Sequence, residues 1–213
     1  MKSIERTAQN EPLHLIDLLE TPDVAHDRDA SRGRRLNLGG MTFLVAESTD
    51  IYAKIFTQIL KGFGAKTVMS TGRGQEAQRL VLDQQIDVLL CDMRLRDMSG
   101  FELIQKLRMD AKNPRRTIPM MMTMGLTTGA AVRKARQVGA SMVLRKPIAP
   151  IAVFDRLDWL AWNPRPFCEL PGYFGPDRRV RDDGNRIGPG RRTSDVTDDE
   201  IDQLFDVVRG KAS

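Results

Sequence analysis

Cysteine, histidine and long apolar runs are scarce in this chain of 213 residues. Two cysteines, Cys91 and Cys168, cannot supply the framework of several disulfide bonds that small secreted domains use, so we expect a reducing compartment. Neither His14 nor His26 has a neighbouring set of metal ligands. No apolar run approaches the ~20 residues needed to cross a bilayer, and residues 1–10 lack the apolar core of a secretory signal. We therefore expect a soluble cytoplasmic protein.

Positive charge is concentrated in the middle of the chain. Residues 41–162 contain 18 Lys and Arg against 11 Asp and Glu, whereas residues 1–40 contain 6 against 7 and residues 163–213 contain 9 against 10. This excess favours partners with acidic surfaces or phosphate groups. It is too small to indicate nucleic-acid binding by itself.

The chain divides into three segments by composition. Residues 1–40 are polar apart from one short amphipathic stretch, which predicts a mostly disordered leader with a short helix. Residues 41–162 form the predicted folded domain. Residues 163–213 are rich in Pro, Gly and Arg, so we predict no regular structure there until a terminal amphipathic helix, for which Thr197 and Glu200 form a capping box.

The middle segment alternates short apolar runs with helical patterns five times. The predicted strands cover residues 42–46, 66–70, 88–91, 117–123 and 141–145. The predicted helices cover residues 50–63, 72–82, 101–109, 127–138 and 150–162. In the first helix the apolar residues recur at helical spacing: Ile51, Ile55, Phe56, Ile59, Leu60 and Phe63. Since each strand–helix–strand crossover is right-handed, the pattern predicts a doubly wound α/β fold with a five-stranded parallel sheet.

Polar side chains stand at the ends of four of the five predicted strands. Glu47 follows the first strand, Asp92 the third, Thr123 closes the fourth and Lys146 follows the fifth. These carboxyl ends meet at the sheet edge where open α/β folds bind ligands. Two carboxylates on adjacent strands suit Mg²⁺, and the ammonium and hydroxyl groups can neutralise a phosphoryl group transferred to the Asp92 carboxylate. The sequence therefore predicts a phosphoryl-transfer site centred on Asp92.

Residues 41–162 resemble the receiver domains of two-component response regulators. Four stretches match. They are residues 43–47 in the first strand, Leu89-Leu90-Cys91-Asp92 followed along the chain by Met98-Ser99-Gly100, Met122-Thr123, and Lys146-Pro147. The resemblance implies the same flavodoxin-like fold. It also implies a cis peptide bond between Lys146 and Pro147.

The resemblance further implies a role for each residue at the sheet edge. Asp92 is the implied phosphoryl acceptor, Thr123 a switch hydroxyl and Lys146 a phosphate-binding group. The implied Mg²⁺ ligands are Glu47, Asp92 and the backbone carbonyl of Arg94. The implied donor is a histidine kinase or a phosphotransferase, and the implied output is binding to a further protein, not catalysis. No helix-turn-helix pattern follows the receiver, so we predict no DNA-binding domain.

Five positions depart from the usual receiver pattern. Ser48 stands where receivers commonly carry a second acid, which predicts weaker Mg²⁺ binding. The Arg94 side chain is expected to reach the phosphate or to act as a resident cation. Arg96 replaces a common proline and is expected only to alter the loop. Val143 replaces the usual aromatic switch residue, and Met124 is expected to restrict access because it is bulkier than the residue usually found there.

Two alternatives to a phosphorylatable switch remain open. Ser48, Arg94 and Val143 are compatible with a phosphorylation-independent pseudo-receiver that serves as a scaffold. The imperfect arginine repeats at 175–179 and 188–192 loosely resemble tails that bind cyclic di-GMP, through residues such as Arg178 and Arg191. The predicted fourth helix and fifth strand also carry a basic face suited to an acidic partner, formed by Arg133, Lys134, Arg136 and Arg145.

Overall fold

A computed structural model describes residues 37–125 and 127–178. Five strands alternate with five helices, and a two-stranded hairpin follows the last helix. In chain order the elements are β1 (Thr42–Ala46), α1 (Asp50–Gly62), β2 (Thr67–Thr71), α2 (Gly74–Asp83), β3 (Val88–Asp92), α3 (Gly100–Met109), β4 (Met120–Met124), α4 (Gly129–Gln137), β5 (Met142–Arg145), α5 (Pro150–Trp162), β6 (Phe167–Leu170) and β7 (Tyr173–Pro176).

The first five strands form one parallel sheet in the order β2-β1-β3-β4-β5. Alternate residues of each strand face opposite sides, so the sheet contributes to two apolar cores. One core packs against α2, α3 and α4, and the other against α1 and α5. The prediction of a doubly wound α/β fold with a five-stranded parallel sheet is therefore confirmed, and the methionines of β4 are fully buried core residues.

The structure shows which apolar residues near the start of the domain are covered by packing. Ile51 and Ile55 of α1 are 68% and 37% exposed, while Phe56 and Leu60 are the buried residues of that helix. Spacing identifies a helix, but the position of the helix on the sheet decides which of its apolar residues are covered. Leu38 is only 3% exposed and packs into the α1–α5 core, so the ordered packing begins before Met41.

The residues after α5 contain regular structure that the sequence did not predict. Strands β6 and β7 pair antiparallel around a turn at Pro171 and Gly172. Proline and glycine were expected to prevent pairing here. Pro171 and Gly172 instead form the turn, and Gly175 lies within β7 opposite Cys168. Pro176 is the last residue of β7, where the paired ladder ends and a missing N–H is tolerated.

The β6–β7 hairpin packs on α3 and on the loops at the amino ends of β4 and β5. The Arg108 guanidinium lies 5.0 Å from the centroid of the Phe167 ring, and the Arg116 guanidinium lies 3.4 Å from that of Phe174. A Cβ atom on Gly139 would lie 2.7 Å from the Phe174 carbonyl oxygen, and the φ of Gly139 is +89°. Glycine at position 139 therefore permits both the chain reversal after α4 and the close approach of the hairpin.

Residues 1–36 of the predicted leader, the terminal helix and the repeat at 188–192 lie outside the described residues. Their predicted structures stay predictions, as do the boundaries of the leader and the tail. Within the part of the chain that the structure covers, every helix is too short or too polar to cross a lipid bilayer.

Candidate functional site

The carboxyl edge of the sheet brings Glu47, Asp92 and Lys146 into direct contact. The Lys146 Nζ atom lies 2.6 Å from Glu47 Oε2 and 2.9 Å from Asp92 Oδ1. Glu47 is 2% and Asp92 8% exposed, so water screens these ion pairs only weakly. One ammonium group therefore links two buried carboxylates, and the predicted meeting of these three residues is confirmed.

Thr123 lies beside Asp92 on the neighbouring strand. Strands β3 and β4 pair in parallel with Asp92 opposite Thr123, and the Met93 backbone N–H donates to the Thr123 carbonyl oxygen at 2.9 Å. The Thr123 side-chain oxygen is buried and has no hydrogen-bond partner among the described residues. A buried hydroxyl normally finds a partner, so the Thr123 hydroxyl has unused hydrogen-bonding capacity within the described structure.

Two ionisable groups at the site have raised pKa values. Burial raises the pKa of Glu47, the hydrogen bond from Lys146 opposes this rise, and the negative charge of Asp92 adds to it. Burial likewise raises the pKa of the Cys91 thiol, with further contributions from the charges of Asp92 and Glu47. Cys91 is thus an un-ionised core residue at neutral pH and no candidate nucleophile.

A cavity of about 400 Å³ opens directly onto Asp92. The Lys146 Nζ atom lies 4.6 Å from the centroid of the Tyr52 ring, and Ser48 Oγ lies 3.5 Å from Asp92 Oδ2. The residues that line the cavity are Ser48, Thr49, Tyr52, Asp92, Met93, Arg94, Gly125, Lys146 and Pro147. The acceptor carboxylate, the lysine and the loop after β3 therefore share one accessible space.

The groups at this cavity include oxygen ligands of the type that Mg²⁺ binds, but few of them are free carboxylates. Asp92 and the backbone of Arg94 offer oxygen atoms at the cavity, and Mg²⁺ takes oxygen ligands and retains several waters. Both oxygens of Glu47 already accept hydrogen bonds, Oε1 from the Thr49 N–H at 3.0 Å and Oε2 from Lys146. Across residues 37–125 and 127–178, no three His, Cys, Asp or Glu side chains cluster as a metal site.

Three predictions about the departures from the receiver pattern need correction. Lys146, not Arg94, is the resident cation between the carboxylates. The Arg94 side chain is exposed and Arg94 lines the cavity, so its contact with a phosphoryl group stays a prediction. Arg96 does more than alter its loop, because its guanidinium pairs with Asp50 at 2.9 Å and donates to the Ser48 carbonyl oxygen. Met124 does not restrict access, since it is fully buried in the core.

Gly100 allows α3 to start immediately behind the acceptor. Ser99 caps this helix by accepting a hydrogen bond from the Glu102 N–H at 3.1 Å. A Cβ atom on Gly100 would collide with the Asp92 carbonyl oxygen and lie 2.8 Å from Cys91 Sγ. Because Gly100 has no side chain, the backbone of α3 packs directly against the end of β3 and holds Asp92 in position.

We expect Gly100→Ala to destabilise the protein by about 1–3 kcal/mol because the methyl group overpacks this contact. Gly62→Ala is the matched control, since a Cβ there meets nothing within 4 Å and alanine raises helix propensity. Urea denaturation followed by circular dichroism measures both. Equal midpoints for the two variants would show that α3 can move away from Asp92 without cost.

The comparisons with known proteins agree with this geometry. The family model for the response regulator receiver domain matches residues 43–158, which is more than half of the chain. The chain belongs to the response regulator receiver family. The cis peptide bond between Lys146 and Pro147, implied by the resemblance to this family, is present.

Several individual receivers are similar to this chain. Chemotaxis protein CheY1 of Helicobacter pylori is 27% identical over 119 residues, which cover 55% of this chain and 94% of CheY1. The sensory/regulatory protein RpfC of Xanthomonas campestris is 24% identical over 131 residues, but the chain spans only 18% of its length. The Mg²⁺ complex of the receiver domain of the Arabidopsis thaliana histidine kinase CKI1 matches with a TM-score of 0.50 and 25% identity, covering 55% of this chain and 90% of that domain.

The first arginine repeat belongs partly to the fold. The Arg178 guanidinium donates to the Ala140 carbonyl oxygen at 2.7 Å and to the Tyr173 hydroxyl at 3.3 Å. Arg191 lies outside the described residues. Binding of cyclic di-GMP through these arginines stays a prediction, and Arg178 already has a structural role.

Proposed function

We propose that this receiver accepts a phosphoryl group on Asp92 from a histidine kinase or a phosphotransferase. The observation that carries the proposal is the position of the Asp92 carboxylate, which faces an open cavity and lies 2.9 Å from Lys146 Nζ. The Thr123 hydroxyl beside it lacks a partner among the residues described. An acceptor carboxylate and a cation therefore line the cavity, and this hydroxyl lies on the neighbouring strand opposite Asp92.

The proposed transfer uses these groups as follows. A carboxylate oxygen of Asp92 forms a bond to the phosphorus of a phosphohistidine, and the phosphorus–nitrogen bond breaks with its electron pair passing to the imidazole. Lys146 and Thr123 donate hydrogen bonds to the phosphoryl oxygens, where negative charge is greatest. The ion pair with Lys146 also keeps Asp92 in position for attack.

Receiver domains bind Mg²⁺ at their phosphorylation site. In this chain we propose Asp92, Glu47 and the backbone carbonyl of Arg94 as its ligands. When bound, the ion supplies further neutralisation of the phosphoryl charge. Ser48 contributes a hydroxyl where a second acid is usual, and Lys146 competes for the same carboxylates. We therefore expect weaker Mg²⁺ affinity than in receivers with two adjacent acids.

Receiver domains generally act as signalling modules and not as enzymes. A phosphoryl group adds about two negative charges at neutral pH, and its bond to Thr123 favours a conformer in which α4 and β5 are rearranged. Val143 is only half-buried and carries no ring, so we propose that aliphatic repacking takes the place of ring rotation. The basic face of α4 and β5 then binds a downstream protein with an acidic surface.

The test is the covalent modification of the whole chain. We expect acetyl phosphate with Mg²⁺, or a phosphorylated histidine kinase, to add one phosphoryl group to the wild type. Asp92→Asn should abolish the mass gain, while Asp83→Asn, which removes an exposed carboxylate at the end of α2, should not change it. Intact-protein mass spectrometry under neutral, cold conditions reads the result. A wild type that gains no mass from any donor contradicts the proposal.

One observation favours a phosphorylation-independent scaffold as a second candidate. Lys146 already forms an ion pair with each carboxylate, so the contacts that hold the site together are present without a ligand. In that case Asp92→Asn would leave partner binding unchanged while the fold survives. Loss of partner binding in folded Asp92→Asn would eliminate the scaffold and retain the phosphoryl switch.

A further inference from the structure

A groove lined by arginines runs along the outer edge of the sheet. Strand β5 is the last strand of the sheet, and its residues form the floor between α4 and α5. The groove has a volume of about 670 Å³. Five of its lining residues are arginines, and we call it the arginine groove: Arg136, Arg145, Arg156, Arg165 and Arg178.

The positive charge of the arginine groove is not balanced by its own walls. Within the described ranges, the residues that line it include no Asp or Glu. Burial lowers the pKa of Arg178, and the nearby charges of Arg136 and Arg165 contribute to this decrease. Arg136, Arg145, Arg156 and Arg165 are exposed, so four guanidinium groups are accessible to an anionic partner.

The chain itself contains an acidic segment of suitable composition. Residues 195–206 carry six carboxylates and no Lys or Arg, with Ile201, Leu204 and Phe205 among them. The groove floor offers the half-buried apolar side chains of Met142 and Val143. An acidic and apolar segment therefore matches both the charge and the apolar floor of the groove.

The covalent connection places this segment within reach. The described chain ends at Arg178, which lines the groove, so the segment is tethered by residues 179–194 alone. A linker of this length spans up to roughly 50 Å when extended. A short tether provides an effective concentration in the millimolar range, which favours the segment over a free partner. Residues 179–194 carry five arginines against two aspartates, so their net positive charge disfavours binding of the linker itself to the arginine groove.

We propose that the acidic segment 195–206 docks in the arginine groove of its own chain. The docking does not depend on phosphoryl transfer. Its consequence rests on the proposed function. The segment covers Arg136 and Arg145 of the basic face to which an acidic downstream partner is proposed to bind, so the partner must displace it.

The test compares full-length variants by two-dimensional ¹H–¹⁵N NMR. One variant replaces all six acids of 195–206 by Asn or Gln, and the matched control carries Asp182→Asn and Asp183→Asn in the linker. We expect the amide signals of β5 and of Arg136 to shift in the first variant and to stay in place in the control. Arg136→Gln with Arg145→Gln and Arg156→Gln should in turn shift the signals of 195–206.

Several results would overturn the proposal. Unchanged β5 signals in the six-acid variant mean that the segment does not dock. Shifts that disappear on dilution, together with a dimeric mass by light scattering, mean that the segment binds a second copy instead of its own chain. Because docking is read from NMR in unphosphorylated protein, its failure is separate from a failure of Asp92 to accept phosphate.

Discussion

Lys146→Met is expected to destabilise the fold by about 3 kcal/mol at pH 7 and to slow phosphoryl acceptance about a hundredfold. The substitution leaves Glu47 and Asp92 as two buried carboxylates without their shared cation, and breaking a buried ion pair on one side typically costs about 3–5 kcal/mol. Loss of one charge-stabilising donor typically lowers the rate of a transfer by about 10²–10³.

The pH dependence of this variant identifies Glu47 as the cause. The pKa of Glu47 is raised in the folded protein, so the folded state holds that proton more tightly than the unfolded state. The contribution of Glu47 to stability is therefore complete below its pKa in the unfolded state, near 4.5. It is lost as the pH rises through the higher pKa that Glu47 has in the folded state. Lys146→Met removes an interaction that lowers the pKa of Glu47, so this pKa is higher in the folded variant than in the folded wild type. Ionising Glu47 therefore destabilises the variant more than the wild type. The difference from the wild type should shrink between pH 7 and pH 5.

Urea denaturation at several pH values measures the stability, and mass spectrometry over time measures phosphoryl acceptance. Lys54→Met, at an exposed position of α1, is the control for loss of one positive charge. Adding Glu47→Gln to Lys146→Met should recover part of the lost stability, because one of the two unpaired buried charges is gone and Asp92 no longer faces a second carboxylate. A pH-independent loss, or no recovery in the double variant, would mean that lysine packing and not charge pairing stabilises this site.

Arg108→Met is expected to lower the free energy of unfolding by about 3–5 kcal/mol. Arg108 is fully buried and donates to the carbonyl oxygens of Gly139 at 3.0 Å and Ile118 at 2.8 Å, to that of Arg116, and to Ser141 Oγ at 3.2 Å. Each buried acceptor left without a donor costs about 1–3 kcal/mol. Burial lowers the pKa of Arg108 to about 9, so it still carries its charge at neutral pH.

The same substitution should also release the β6–β7 hairpin, because Arg108 contacts the Phe167 ring. Urea denaturation gives the stability, and the protection of the β6–β7 amides from hydrogen exchange reports the hairpin. Arg79→Met on the exposed surface of α2 is the control and should change the stability by less than about 0.5 kcal/mol. A similarly small loss in Arg108→Met would show that water replaces the guanidinium at little cost.

Local patterns explain why the sheet and its site were predictable. Apolar runs and helical spacing indicate βα units one at a time, and the right-handed crossover then leaves little freedom in the topology. Parallel strands carry their last residues to the same edge, so Glu47, Asp92, Thr123 and Lys146 could be placed together from their positions at strand ends. The strand ends themselves were predicted to within a few residues.

The sequence by itself thus determined the α/β fold and the residues that meet at its carboxyl edge. Only the tertiary structure decided which cation links the carboxylates, that Arg96 ties its loop to the first βα loop, and that a hairpin covers Arg108. These three features depend on contacts between residues far apart in the chain, such as Lys146 and Glu47. They also depend on which helix and sheet faces are buried when the elements pack together. Periodicity and turn residues are local signals, and they contain no information about such distances.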